Sequence, residues 1–161
     1  MKFYTVSDRY IAYLKTLDNK VPNNYGGKRP YVGIILQING HSYLAPLTSY
    51  KPKQDNLDSS NRTIFKIHEK GKPSNKLGML HLNNMIPVIE SETTLVDFLK
   101  LDAKYKILLT HQIDFIKSEQ DAIKERAAKL YHSVVVLKNA HFSKLSCDFS
   151  VLEGGYRNFV A

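Results

Sequence analysis

Two apolar runs joined by Asn39-Gly40 constrain this chain more than any other feature. Tyr31-Val-Gly-Ile-Ile-Leu-Gln-Ile38 is rich in β-formers, and Ser42-Tyr-Leu-Ala-Pro-Leu47 resumes the apolar pattern after the break. Asn-Gly is the favoured pair for a type I′ turn, whose central residues both need positive φ. The two runs are therefore predicted to form the antiparallel strands of one hairpin. Pro46 has no N–H for a ladder, which points to an edge strand or a bulge at that position.

The second run ends abruptly in Thr48, Ser49 and Lys51, two hydroxyls and an ammonium within four residues. Because the hairpin doubles the chain back, this end returns to the segment before Tyr31. That segment, Asn19 to Pro30, is rich in Asn, Gly and Pro and carries Tyr25, Lys28 and Arg29 beside Gly26-Gly27. It is predicted to be a loop equipped with a ring and two cations, the means to grip a base and a phosphate. The convergence of two polar segments at one end of the hairpin marks the candidate site.

Around this hairpin the pattern predicts an α+β fold. Phe3 to Val6 reads as a first strand, and Ser7 and Asp8 as helix caps before Tyr10-Ile-Ala-Tyr-Leu-Lys15. Tyr10, Tyr13 and Leu14 share one face of that helix, and Tyr10 either packs in the core or leans its hydroxyl into the site. Further strands are expected at Thr63 to Ile67, Leu77 to Leu82 and Met85 to Ile89, separated by polar turns. The later chain changes period. One amphipathic helix is expected through Tyr105, Leu109, Ile113 and Ile116, and a second from Ile123 to Leu137. A short helix follows, with Phe149, Leu152, Tyr156 and Phe159. The expectation is one domain over residues 1–161, with a compact, highly twisted antiparallel sheet or barrel-like core flanked by helices.

Charge narrows the partners. There are 23 Lys and Arg against 15 Asp and Glu, a formal net charge of +8, which suits a polyanion. Ten tyrosines and seven phenylalanines are interleaved with the cations, and exposed aromatics are what single-stranded RNA stacks on. The lone Cys147 forms no internal disulfide, no Cys/His cluster has structural zinc spacing, and no cofactor is called for. The N-terminus has no signal-peptide pattern and no window is long enough for a membrane span, so a reducing cytoplasm is expected. None of the six histidines is marked by its spacing as part of an acid–base pair.

Several blocks together resemble the ToxN/AbiQ family, the endoribonuclease toxins of type III toxin–antitoxin systems. They are Met1-Lys-Phe-Tyr-Thr, Lys20-Val-Pro-Asn, Tyr31-Val-Gly-Ile-Ile-Leu-Gln-Ile-Asn-Gly-His, Tyr43-Leu-Ala-Pro-Leu-Thr-Ser-Tyr-Lys, Leu77-Gly-Met-Leu, Asn84-Met-Ile-Pro-Val, Cys147-Asp-Phe-Ser-Val-Leu-Glu and Tyr156-Arg. The resemblance runs in order over essentially the whole chain, and the Leu-Ala-Pro-Leu-Thr-Ser-x-Lys block is its most specific part. It implies metal-independent cleavage of RNA to 2′,3′-cyclic phosphate and 5′-hydroxyl ends. It further implies a repeat RNA antitoxin that the toxin processes into pseudoknotted units, which inhibit it in a closed toxin–RNA assembly. The active site falls on Thr48, Ser49 and Lys51, with Tyr10, Tyr25, Lys28, Arg29 and Lys53 as RNA-binding residues. Arg29 stands where the family has a lysine. Arginine does not shuttle protons, so Arg29 is suited to clamp a phosphate and not to act as base.

In this chemistry the RNA's own 2′-hydroxyl is the nucleophile, and the protein positions the phosphate, stabilises its added negative charge and moves two protons. Ser49 is assigned to the phosphate and to proton relay, Thr48 to orientation, and Lys51 to charge stabilisation or general acid catalysis. Two alternatives use the same residues: a non-catalytic RNA-binding module, and a ribonuclease toxin whose antitoxin is a protein. No Gly-x-Ser-x-Gly elbow is present to suggest an acyl-transfer serine.

Overall fold

The computed structural model describes residues 1–161. Twelve regular elements follow the chain: β1 (Lys2–Val6), α1 (Asp8–Leu17), β2 (Tyr31–Ile38), β3 (His41–Ser49), β4 (Ile64–Glu69), β5 (Lys72–His81), β6 (Ile86–Pro87), β7 (Thr93–Leu95), α2 (Ala103–Ser118), α3 (Gln120–Tyr131), α4 (Ala140–Leu145) and α5 (Phe149–Gly155). The strands form one antiparallel sheet of order β4-β5-β3-β2-β1-β7, with β6 also paired to β3. The fold is α+β. The sheet is open: β4 and β7 end the order without pairing to each other, so the barrel-like alternative does not describe it.

The hairpin turns where the sequence placed it. Asn39 and Gly40 have φ of 50° and 76°, and Ile38 faces His41 across the turn. Of the two settings expected for Pro46 the edge strand does not hold, because β3 is central, and an irregularity of the β2–β3 register lies beside it. On one side β3 pairs with β2 from His41 to Pro46, with a register shift between Val32 and Leu36, and on the other it changes partner, from β6 at Tyr43 and Leu44 to β5 at Leu47 to Ser49. The Leu47 N–H donates towards β2, to the Pro30 carbonyl at 3.0 Å. Since successive N–H groups alternate direction, position 46 faces the other edge, in the gap between β6 and β5 where no donor is needed.

The core is a continuous apolar cluster beneath the sheet, and α2 covers β4 and β5 while α3 covers β2. Its largest fully buried side chains include Tyr10, Tyr31, Tyr43, Tyr156, Phe3 and Phe149, so these rings pack the interior and are closed to stacking with RNA. Tyr43 and Tyr131 both donate to Glu153 Oε1, at 2.6 and 2.7 Å, which satisfies the phenols on burial. The expected helix from Ile123 to Leu137 stops at Tyr131 and continues as one π turn, His132–Val136. That turn rotates Val136 and Leu137 out of the buried face, leaving them 58% and 63% exposed. The three-residue β7 and six-residue α4 lie outside the elements that the sequence pattern predicts. No helix is long and apolar enough to cross a membrane.

Candidate active site

The end of β3 is held in place by what lies behind it. Leu47, Thr48 and Ser49 pair with Leu80, Met79 and Gly78 of β5. Gly78 has φ of +149°, a conformation that side chains rarely adopt, and a Cβ built there would stand 2.1 Å from the Thr48 carbonyl oxygen. Past Ser49 the chain stays extended through Lys51, and Pro52 opens a single 3₁₀ turn to Asn56. That turn buries Gln54, whose amide donates to the Ser49 carbonyl at 3.0 Å and reaches the Thr48 hydroxyl at 3.4 Å. From the far side Gln112 of α2, also buried, donates to the Leu77 carbonyl at 2.9 Å.

The loop before β2 is held just as firmly. Asn24 is buried, and its amide donates to the Val6 carbonyl and to Asp8 Oδ1, each at 2.7 Å. Tyr25, Gly26 and Gly27 then take φ of 49°, 67° and 76°, a reversal that the glycine pair permits. It projects Tyr25 into solvent, 66% exposed, with the Arg29 guanidinium 5.1 Å over its ring and donating to the Asn23 carbonyl at 3.0 Å.

Between loop and strand end lies a cleft of about 250 Å³, lined by Tyr25, Lys28, Arg29, Leu47, Thr48, Ser49 and Lys51. Six of the eight residues predicted for the site thus meet in one place. Lys53 sits outside it, exposed on the 3₁₀ turn. Tyr10 is fully buried, its hydroxyl donating to the Pro87 carbonyl at 2.7 Å and its ring against Phe159. Its place on the apolar face of α1 carries it into the core, and it is not a surface for RNA.

The two hydroxyls differ in state. Thr48 Oγ1 lies 3.0 Å from His81 Nε2 and 3.4 Å from the Met79 carbonyl oxygen, so with Gln54 it is held by three groups. Ser49 is exposed and makes no side-chain hydrogen bond, and Lys28, Lys51 and Lys53 form no ion pair. The cleft therefore presents one free hydroxyl among uncommitted cations, an arrangement that fits a phosphate with its negative charge. Burial, with the charges of Arg29 and Lys53, holds the His81 imidazole down to about 4, so it is neutral near pH 7.

Residues 2–157 match the family model described as Toxin ToxN, type III toxin-antitoxin system. The chain is 43% identical to the Endoribonuclease ToxN of Pectobacterium atrosepticum, over 99% of its own length and 94% of that protein. It belongs to the ToxN toxin family. Among solved structures it resembles AbiQ, a lactococcal anti-phage endoribonuclease of a type III system. The TM-score is 0.91 at 33% identity, over 98% of this chain and 96% of that one. It likewise resembles a structure from a bacterial type III system in which a non-coding RNA pseudoknot selectively inhibits the toxin. That match has a TM-score of 0.86 at 36% identity, over 98% and 96% of the two chains.

In this ToxN family member the groups that sequence reasoning passed over are His81, Gln54, Gly78 and Gln112. His81 carried no signal, because its approach to Thr48 depends on the β3–β5 register. Gln54 lay in a polar stretch that read only as loop. Gly78, within an otherwise apolar run, did carry the usual mark of close backbone approach. No group of three or more His, Cys, Asp or Glu side chains is placed to hold a metal ion.

Proposed function

We propose that this chain is a metal-independent, sequence-specific endoribonuclease toxin that leaves 2′,3′-cyclic phosphate and 5′-hydroxyl ends. It processes its own repeat RNA antitoxin and is inhibited by the resulting pseudoknot units in a closed RNA–protein assembly. Its role is phage defence by abortive infection, or maintenance of its own locus. Acting on cellular RNA places it in the cytoplasm, a compartment that suits the unpaired, buried Cys147.

The observation that carries this reading is the free Ser49 hydroxyl at the end of β3, between the tethered Thr48 and the unpaired Lys51, facing Arg29 across the cleft. In the mechanism Ser49 donates to a phosphate oxygen and relays the proton leaving the 2′-hydroxyl. Lys51 and Arg29 stabilise the charge that builds on the phosphorane, and Lys51 supplies a proton to the departing 5′-oxygen. Thr48, fixed by His81 and Gln54, orients the phosphate. Tyr25 stacks a neighbouring base while Lys28 and Lys53 attract the backbone.

The test is to induce the chain and its Ser49→Ala variant in bacteria without antitoxin and map new RNA ends. Site-specific ends with cyclic phosphates from the wild type alone support the assignment. RNA binding by both forms with no new ends from either would leave a binding module in its place.

A further inference from the structure

A second cavity, of about 430 Å³, opens on the other side of the strand end. Ser49 and Lys51 line the catalytic cleft, whereas Tyr50 between them lines this cavity, together with Gln54 and Gly78. The two spaces therefore share a wall, the Thr48–Tyr50 segment and the Gln54 amide that braces it.

The second cavity differs in chemistry from the first. Asp55 accepts from the Tyr50 hydroxyl at 2.6 Å and from Lys76 Nζ at 2.8 Å, and that ammonium lies 5.4 Å over the Tyr50 ring. These partners hold the Asp55 carboxyl below the usual carboxylate range, so it is ionised near neutrality. Each carboxylate oxygen keeps a lone pair beyond the one engaged. His68 also lines the cavity, its Nδ1 2.8 Å from the Glu69 carbonyl oxygen. Lys66, without an ion pair, supplies a free cation on the same wall. A ring to lie against, a carboxylate acceptor and a free cation match a nucleotide better than a bare phosphate.

We propose that this second cavity is a base-recognition subsite, taking the nucleobase next to the scissile phosphate and selecting bases with an exocyclic amino group over uracil. The inference rests on the RNA-cleaving reading of the neighbouring cleft. Tyr50 supports the base face, Asp55 accepts from the amino group, and Lys66 meets the backbone. Uracil offers carbonyl oxygens where adenine and cytosine offer an amine, and such an oxygen opposite the Asp55 carboxylate is repelled.

The experiment measures binding of 2′-O-methyl octanucleotides of A, C and U, which lack the nucleophile, to wild type, Asp55→Ala, Lys66→Met and Ser49→Ala. Wild type and Ser49→Ala should bind A and C roughly tenfold more tightly than U, the scale of one good base-edge contact. Asp55→Ala should bring that ratio close to one, whereas Lys66→Met should weaken all three oligonucleotides alike and keep it. An unchanged ratio in Asp55→Ala, or equal weakening of all three by that variant, overturns the subsite. Cleavage does not enter this measurement, so failure of the nuclease reading is scored separately by the Ser49→Ala mapping.

Discussion

Gly78 sits so close to Thr48 that no side chain fits between them: its missing Cβ would stand 2.1 Å from the Thr48 carbonyl oxygen. The atom in the way is backbone, so relief requires the strand itself to move. Gly78→Ala should therefore destabilise the protein by about 2–4 kcal/mol in denaturant unfolding, combining strain at positive φ with the clash. In the protein that remains folded, cleavage should fall by roughly two orders of magnitude, the cost of a displacement of about 1 Å at a catalytic group.

Gln54→Ala removes the donor to the Ser49 carbonyl and to the Thr48 hydroxyl while leaving every cleft side chain in place. Stability should drop by about 1–3 kcal/mol, the penalty for orphaning buried polar groups. Single-turnover kinetics should show a lower kcat with KM nearly unchanged, since the cations that attract RNA are untouched. A rise in KM alone would place Gln54 in RNA binding.

His81 gives the site a pH signature. Its folded value of about 4 lies below the 6.5 of an unperturbed imidazole, so between these limits the unfolded chain binds the extra proton. The stability it contributes is complete above pH 6.5 and is lost as the pH falls from there to about 4. The loss amounts to at most about 3 kcal/mol, and comparing wild type with His81→Gln isolates it. Urea midpoints of the wild type should decline more steeply over this window than those of the variant.

Tyr10→Phe deletes one buried hydrogen bond, to the Pro87 carbonyl. It should cost about 1 kcal/mol of stability and leave RNA affinity and cleavage at wild-type levels. Tyr25→Ala should do the reverse, because its ring is exposed and supports Arg29: stability unchanged, RNA affinity reduced by about 1–3 kcal/mol in a titration.

Much of this was legible in the residues because the decisive signals were local. Asn39-Gly40 fixed a turn, the turn fixed the direction of β3, and that direction brought Thr48, Ser49 and Lys51 back to Lys28 and Arg29. What stayed hidden depended on pairing between distant segments. Pro46 read as an edge or bulge residue because its own sequence cannot show that β3 changes partner beside it. His81 and Gln112 act through the register of β5, which no stretch of β5 specifies alone. Tyr10 stayed open between core and site for a different reason: a tyrosine on an apolar helix face carries the same pattern whether its hydroxyl meets solvent or, as here, a buried carbonyl.

The partner change along β3 also bears on when the toxin becomes dangerous. Every proposed catalytic side chain lies between Tyr25 and Lys51, in the first third of the chain, yet much of what holds the end of β3 comes later: Gly78 and His81 on β5, then Gln112 on α2. A ribosome emits the reactive groups long before it emits their support. A nascent or prematurely terminated chain ending before residue 78 would carry the complete set of reactive groups and have no working centre, so toxicity arrives only with the second half of the message.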